Sequence, residues 1–219
     1  MNEANSTIQT NEEQESRQGH KDSRDFFGKF FPKLDIWDKK TTTALYNHEN
    51  LLKQRKIWQF ISFLGDPREW LIVVVILGIY GLIIHDFTLF AIFFTGFFQS
   101  FASYFFIKYT VKRPRPFKQD STIIRLDSTG HGYSFPSGHC HHSTILFGLI
   151  TLLWLPTWVF SLVIILNLLI GFSRIMLGCH YISDTIIGII EAYLELIIFW
   201  LFAKDIYVDL IIHIQNLIF

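Results

Sequence analysis

Residues Pro67–Lys108 read PREWLIVVVILGIYGLIIHDFTLFAIFFTGFFQSFASYFFIK. Two apolar stretches, 67–84 and 87–108, flank a turn of only His85 and Asp86. Each approaches the roughly 20 residues that cross hydrocarbon. A connection that short makes the two helices antiparallel neighbours, so the segment reads as a transmembrane hairpin. Working outward, 138–155 and 157–173 form a second hairpin around Pro156 and Thr157, and 184–203 is a fifth apolar run. The predicted fold class is therefore all-α: a polytopic membrane helical bundle with about five transmembrane helices plus interfacial N-terminal helices.

Composition agrees. Of 219 residues, 50% are hydrophobic and 23 are Phe, and the mean hydropathy is +0.32. That is the balance of a membrane-embedded chain rather than a water-soluble one. The formal net charge of zero leaves no basic footprint for nucleic acid. Two cysteines, Cys140 and Cys179, make no disulfide framework and are expected to be buried thiols.

Residues 1–24 are polar, lack the apolar core of a signal peptide and read as a disordered tail. Residues 25–66 mix aromatics with Lys and Arg, the pattern of helices lying on a membrane surface with aromatics inward and cations outward. Residues 67–203 form the membrane domain. Residues 204–219 are a C-terminal tail, lying in the interface or hooking back as a short apolar segment. The 109–137 connection, rich in Pro and polar residues, reads as a loop. Counting crossings puts it on the same membrane face as the 174–184 connection.

Three polar clusters thereby meet at that face: KYTVKRPRP (108–116), PSGH (136–139) and SRIMLGCHYISD (173–184). Cations and histidines at the ends of membrane-length helices are costly unless a ligand uses them. Lys108, Lys112, Arg113, Arg115 and Arg174 supply positive charge suited to phosphate oxygens. Ser137 and Gly138 open the third helix, whose N-terminal N–H groups form an anion site. His139 lies in that first turn. His180 precedes Asp184 by four residues, a spacing that puts both on one face of a helix. A carboxylate beside an imidazole fixes its tautomer and stabilises its charged form. Two histidines facing an anion site suggest phosphoryl transfer, one attacking phosphorus and the other protonating the leaving oxygen. No carboxylate cluster of the kind that holds magnesium accompanies them, so the economical reading is metal-independent chemistry through a phosphohistidine, with no cofactor.

These residues resemble the signature of the phosphatidic acid phosphatase type 2 superfamily: K-x6-RP, PSGH and SR-x5-H-x3-D. Here they are Lys108 to Arg115-Pro116, Pro136-Ser137-Gly138-His139, and Ser173-Arg174 to His180 and Asp184. The resemblance extends over roughly 60–203 and makes 67–203 a membrane phosphatase domain. It implies that His180 is the nucleophile, that Asp184 orients it and that His139 is the general acid. Lys108, Arg115, Ser137, Gly138 and Arg174 would then bind the phosphoryl oxygens, with Ser173 as a positioning residue. The implied function is hydrolysis of a lipid phosphomonoester or diphosphate. The alternative is a lipid phosphotransferase using the same histidine intermediate. Members act on phosphatidic acid, undecaprenyl diphosphate, lipid A phosphate and related lipids.

Other expectations concern neighbouring residues. Arg113 and Lys112 attract a headgroup or are ordinary interfacial cations, and His131 is a solvated loop residue. The string His139-Cys140-His141-His142 does not make a metal site, because successive helical residues point apart. Asn167 and Glu191 lie at matching depth and are expected to hydrogen-bond to each other. The Phe-rich second helix lines an acyl groove or simply faces lipid. The cations flanking the proposed site would place it in the cytoplasm by the positive-inside rule. The resemblance implies an extracytoplasmic site in a bacterial inner membrane, and this is the reading adopted. The partners implied are the lipid phosphate and the bilayer; the oligomeric state is left open.

Overall fold

The computed structural model describes residues 26–48, 51, 53–129 and 132–218. The tail reading for 1–24 and the reading of His131 fall outside them. All regular structure among the described residues is helical. In chain order the helices are α1 (Phe26–Phe30), α2 (Pro32–Tyr46), α3 (Arg55–Phe63), α4 (Pro67–Ile84), α5 (Thr88–Val111), α6 (Pro116–Gln119), α7 (Gly138–Trp154), α8 (Val159–Met176) and α9 (Ile182–Ile198). A π-helical turn, Phe199–Ala203, leads into α10 (Lys204–Ile218).

Local chemistry sets the boundaries. Asp66 caps α4, its carboxylate accepting the Arg68 N–H at 3.0 Å, and Pro67 fills the first helical position. His85 ends α4 in the left-handed conformation, with φ 55°. The bundle turns there into α5.

Four helical stretches are long and apolar enough to cross a membrane: Arg55–Ile84, Thr88–Gln119, Val159–Met176 and Ile182–Leu217. The remaining predicted crossing, 138–155, is α7, the centre of the bundle. It has 17 residues, twelve of them buried, and packs against α9, α8, α5 and α4. Its first turns carry His139, His141, His142, Ser143 and Thr144, all buried, which lipid would not tolerate. Below them, Ile145, Leu146 and Leu149 join Trp70, Phe93, Leu196 and Phe199 in the main apolar core.

One expectation needs correction. Asn167 and Glu191 do not bond each other. Asn167 Oδ1 accepts from Ser143 Oγ at 2.5 Å, whereas Glu191 Oε2 lies 3.0 Å from His141 Nδ1. Each is satisfied by α7, which offers polar side chains to both neighbours. On α2, Asp35, Asp38 and Thr42 are buried within the protein, while Ile36 and Trp37 are exposed on its surface. Its inward polar face has a specific partner, described below. Finally, α9 continues through the π turn to form one helical run to Leu217. Its α10 segment packs on α5, and Gln215 Nε2 donates to His85 O at 2.8 Å.

Candidate active site

Lys108 sits in the last turn of α5, buried, its Nζ donating to Tyr104 Oη at 2.5 Å. The same Tyr104 ring covers the start of α7. A Cβ on Gly138 would lie 2.9 Å from Tyr104 Oη and 3.0 Å from the ring, so no larger residue fits without displacing it. One aromatic side chain thus positions a cation beside a helix N-terminus. Ser137 precedes that helix after a cis Phe135–Pro136 bond. Its N–H donates to Asp184 O at 2.9 Å, which ties α7 to α9. Its hydroxyl is buried and makes no hydrogen bond of good geometry.

Beyond α5, Lys112 adopts φ 53° and turns the chain so that Arg113 and Arg115 point inward. Arg115 donates through Nη1 to Cys179 O at 2.9 Å and lies 3.1 Å from His180 Nε2. Its Nε donates to Gly132 O at 3.3 Å. Arg174, in the last turn of α8, is held from three sides. It donates to Ser62 Oγ at 2.7 Å, to Thr129 Oγ1 at 3.2 Å and to the Asp127 carboxylate. Its Nε is buried without a partner. Burial acts to raise the Asp127 carboxyl, but Arg174 and the Thr129 hydrogen bonds outweigh it and hold it below the usual carboxylate range.

His180 lies in the short connection between α8 and α9, outside the membrane helices. Burial first, then the charges of Arg115, Arg174 and Lys108, push its imidazole well below its ordinary value. Both effects favour its neutral form, and its Nε2 is turned toward Arg115. Asp184 stands behind it, Oδ2 lying 3.6 Å from Nδ1. The spacing works differently from a shared helical face, because α9 begins only at Ile182. Asp184 folds back over the helix start and accepts the Tyr181 N–H at 2.9 Å. That return brings its carboxylate behind the imidazole.

Six of the eight residues expected at the site, Lys108, Arg115, Gly138, His139, Arg174 and His180, line one cavity of about 740 Å³. Asp184 and Ser137 do not line it: the first backs His180, and the second lies beneath the start of α7. The cavity runs on between α4 and α5, where Leu71, Phe97, Phe101 and Phe105 form apolar walls. A charged end and an apolar slot suit an amphiphile carrying an anionic head.

Several residues at this site are not visible in the signature. His142 lines the cavity, stacks on Phe101 with ring centroids 4.1 Å apart and pairs its Nδ1 with Ser100 Oγ at 2.7 Å. His141 points elsewhere, its two ring nitrogens facing Glu191 at 3.0 Å and Glu195 at 3.3 Å. The three histidines of this first turn thus point to different partners, as helical geometry requires. Arg113 is neither a headgroup cation nor an interfacial one. It is fully buried among Asp35, Asp38, Ser183 and Asp184.

A model of the PAP2 superfamily matches residues 87–207, more than half of the chain. The chain belongs to the PAP2 superfamily. Within it, the chain is similar to an undecaprenyl-diphosphatase of Sulfolobus acidocaldarius, with 35% identity over 82 residues. That similarity covers 37% of this chain and 39% of the relative, so the chain spans about two fifths of the relative's length. No solved structure matches. The PAP2 region runs from the start of α5 into α10 and contains all eight expected site residues. α1 to α4, including the two aspartates around Arg113, lie outside it.

Proposed function

We propose that the protein is an integral-membrane phosphatase that hydrolyses lipid phosphates through a phosphohistidine at His180. The observation that carries this reading is the cavity itself. Lys108, Arg115, Arg174, a helix N-terminus and the imidazoles of His139 and His180 converge at one end, and an apolar slot between α4 and α5 leads away from it.

The lipid phosphate would enter sideways through the slot without its tails leaving the bilayer. Arg115, Arg174, Lys108 and the N–H groups at the start of α7 would take the phosphoryl oxygens and the charge that develops on them. His180 Nε2 attacks phosphorus. The 3.1 Å approach of Arg115 to that nitrogen supports its choice, because one guanidinium can then bind an oxygen of the group being transferred. As the imidazole becomes charged, Asp184 stabilises it from the Nδ1 side, closing the 3.6 Å separation. His139 protonates the leaving oxygen, then deprotonates the water that attacks the phosphohistidine and releases inorganic phosphate. Charge compensation comes from side chains, so the reaction needs no divalent metal.

Among lipid phosphates, the similarity to an undecaprenyl-diphosphatase favours a polyprenyl diphosphate; action from the extracytoplasmic face is part of the reading proposed here and rests on the signature motifs. The test is phosphate release by the purified chain from phosphatidic acid, a polyprenyl diphosphate and a lipid A phosphate, all in EDTA. Release from at least one lipid, abolished in His180→Ala, is expected. Activity surviving in His180→Ala would refute the nucleophile, and strict dependence on an added divalent ion would refute the metal-free reaction.

A further inference from the structure

We infer that the N-terminal helix α2 is a positioning element of the active site, with Asp38 acting through Arg113 and Ser183 to fix the carboxylate of Asp184 behind His180. This rests on the reading of His180 and Asp184 given above, and extends it to a helix outside the PAP2 match.

The contacts form a closed chain. Arg113 is fully buried, its guanidinium packed between the rings of Phe27, at 3.9 Å, and Tyr181, at 4.1 Å. Nη1 donates to Asp184 Oδ1 at 2.7 Å and Ser183 Oγ at 2.8 Å. Nη2 donates to Asp35 Oδ1 and Asp38 Oδ2, both at 2.8 Å. Asp38 also grips the start of α9 directly. It accepts the Ser183 N–H at 3.1 Å and the Ser183 hydroxyl at 2.5 Å. A carboxylate at a helix N-terminus satisfies a free N–H and the dipole together.

The consequence falls on Asp184. One oxygen is held by Arg113 and the other by the Tyr181 N–H at 2.9 Å, and that second oxygen is the one facing His180. Carboxylate rotation is therefore blocked from behind, and one of the two groups that block it, Arg113, is anchored to α2 through Asp35 and Asp38. A helix serving only to attach the N-terminal segment would have no need to reach this carboxylate. An apolar contact would suffice.

The charge count makes a clean test possible. Three carboxylates surround Arg113, and Lys39 pairs with Asp35 at 2.5 Å. Removing Asp38 leaves Arg113 with Asp184, and Asp35 with Lys39, so no buried cation is orphaned. The experiment uses the full chain in lipid nanodiscs and the lipid phosphate hydrolysed fastest in the panel above. Wild type, Asp38→Ala, Asp38→Asn and His180→Ala are compared, with kcat expressed per folded molecule. Misplacing a reacting group by an ångström costs about 100-fold, so Asp38→Ala is expected to lower kcat by about that factor. KM and inhibition by inorganic phosphate should stay near wild type, because Asp38 touches no substrate. Asp38→Asn keeps the acceptor for Ser183 and should retain more of the rate.

A purely structural role would lower the yield of folded protein and leave kcat per folded molecule unchanged. That result, or a rise in KM at constant kcat, overturns the inference. Should Asp38→Ala fail to fold, Asp38→Asn decides: reduced kcat at constant KM supports the inference, and wild-type kcat overturns it. If His180→Ala remains active, the proposed function falls. If His180→Ala is inactive and both Asp38 variants turn over normally, only the role of α2 falls.

Discussion

The two sides of the segment after α5 use the same residue type in opposite ways. On one side Arg113 faces α2 and is enclosed by three carboxylates; on the other Arg115, two residues later, faces His180 and has no carboxylate among its hydrogen-bond partners named above. The carboxylates make Arg113 part of the frame, because a guanidinium already matched by anions has little left for a phosphate. Arg115 donates to the carbonyl oxygens of Cys179 and Gly132, which orient it toward His180 and the cavity. Orientation toward the cavity, rather than enclosure among carboxylates, sets Arg115 apart from Arg113. Arg174 combines both, with one carboxylate partner and a buried Nε still unpaired.

This difference is open to direct tests. The largest effect is expected for Arg113→Ala, which leaves Asp38 and Asp184 buried without their cation and Asp35 with Lys39 alone. Removing one partner of a buried pair costs about 3–5 kcal/mol, so unfolding in detergent should shift accordingly. Wild-type stability would break the contrast. Arg115→Ala should behave in the opposite manner, with near-normal stability and kcat/KM lowered by about 10²–10³-fold, the effect of losing one donor to a developing oxyanion. Gly138→Ala should cost about 1–3 kcal/mol through overpacking against Tyr104. Because Tyr104 also holds Lys108, KM for the lipid phosphate should rise in this variant.

The smallest effect concerns pH. His180 must be neutral to attack, and its burial and cationic neighbours favour that form. The acid limb of kcat/KM due to this group should therefore fall below about 6.5, the ordinary histidine value. Lys108→Met removes one of the cations responsible, so the limb should move to higher pH. A limb that stays in place would show that the local charge does not tune the nucleophile.

Much of this frame is legible in the sequence, and the reasons are physical. The ends of α4 follow directly from Asp66-Pro67 and the short His85-Asp86 turn. The six cavity-lining residues belong to motifs that crossing parity alone brings to one face. What stays hidden depends on partner choice across long separations. Asp35 and Asp38 look like solvent-facing members of a Lys-rich surface helix, and nothing local announces a buried arginine 75 residues away. Asp127 resembles any loop aspartate until Arg174 is placed beside it. His141 and Glu191 belong to readable helices, yet their pairing depends on the rotation of α7 against α9. Periodicity identifies a helix and its apolar face, but a buried polar side chain among apolar neighbours signals only that some partner exists.

The central claim is that His180 carries the phosphoryl group, and trapping that intermediate tests it most directly. The purified chain would be mixed with a lipid phosphate labelled at the transferred phosphorus, quenched within the first turnover under alkaline denaturing conditions, and mapped by mass spectrometry. A phosphoryl group on His180, absent in His180→Ala and stable to base but lost in acid, is the predicted result. Label on another residue, or product formed in a competent enzyme with no phosphorylated protein at any time in the first turnover, would contradict the account.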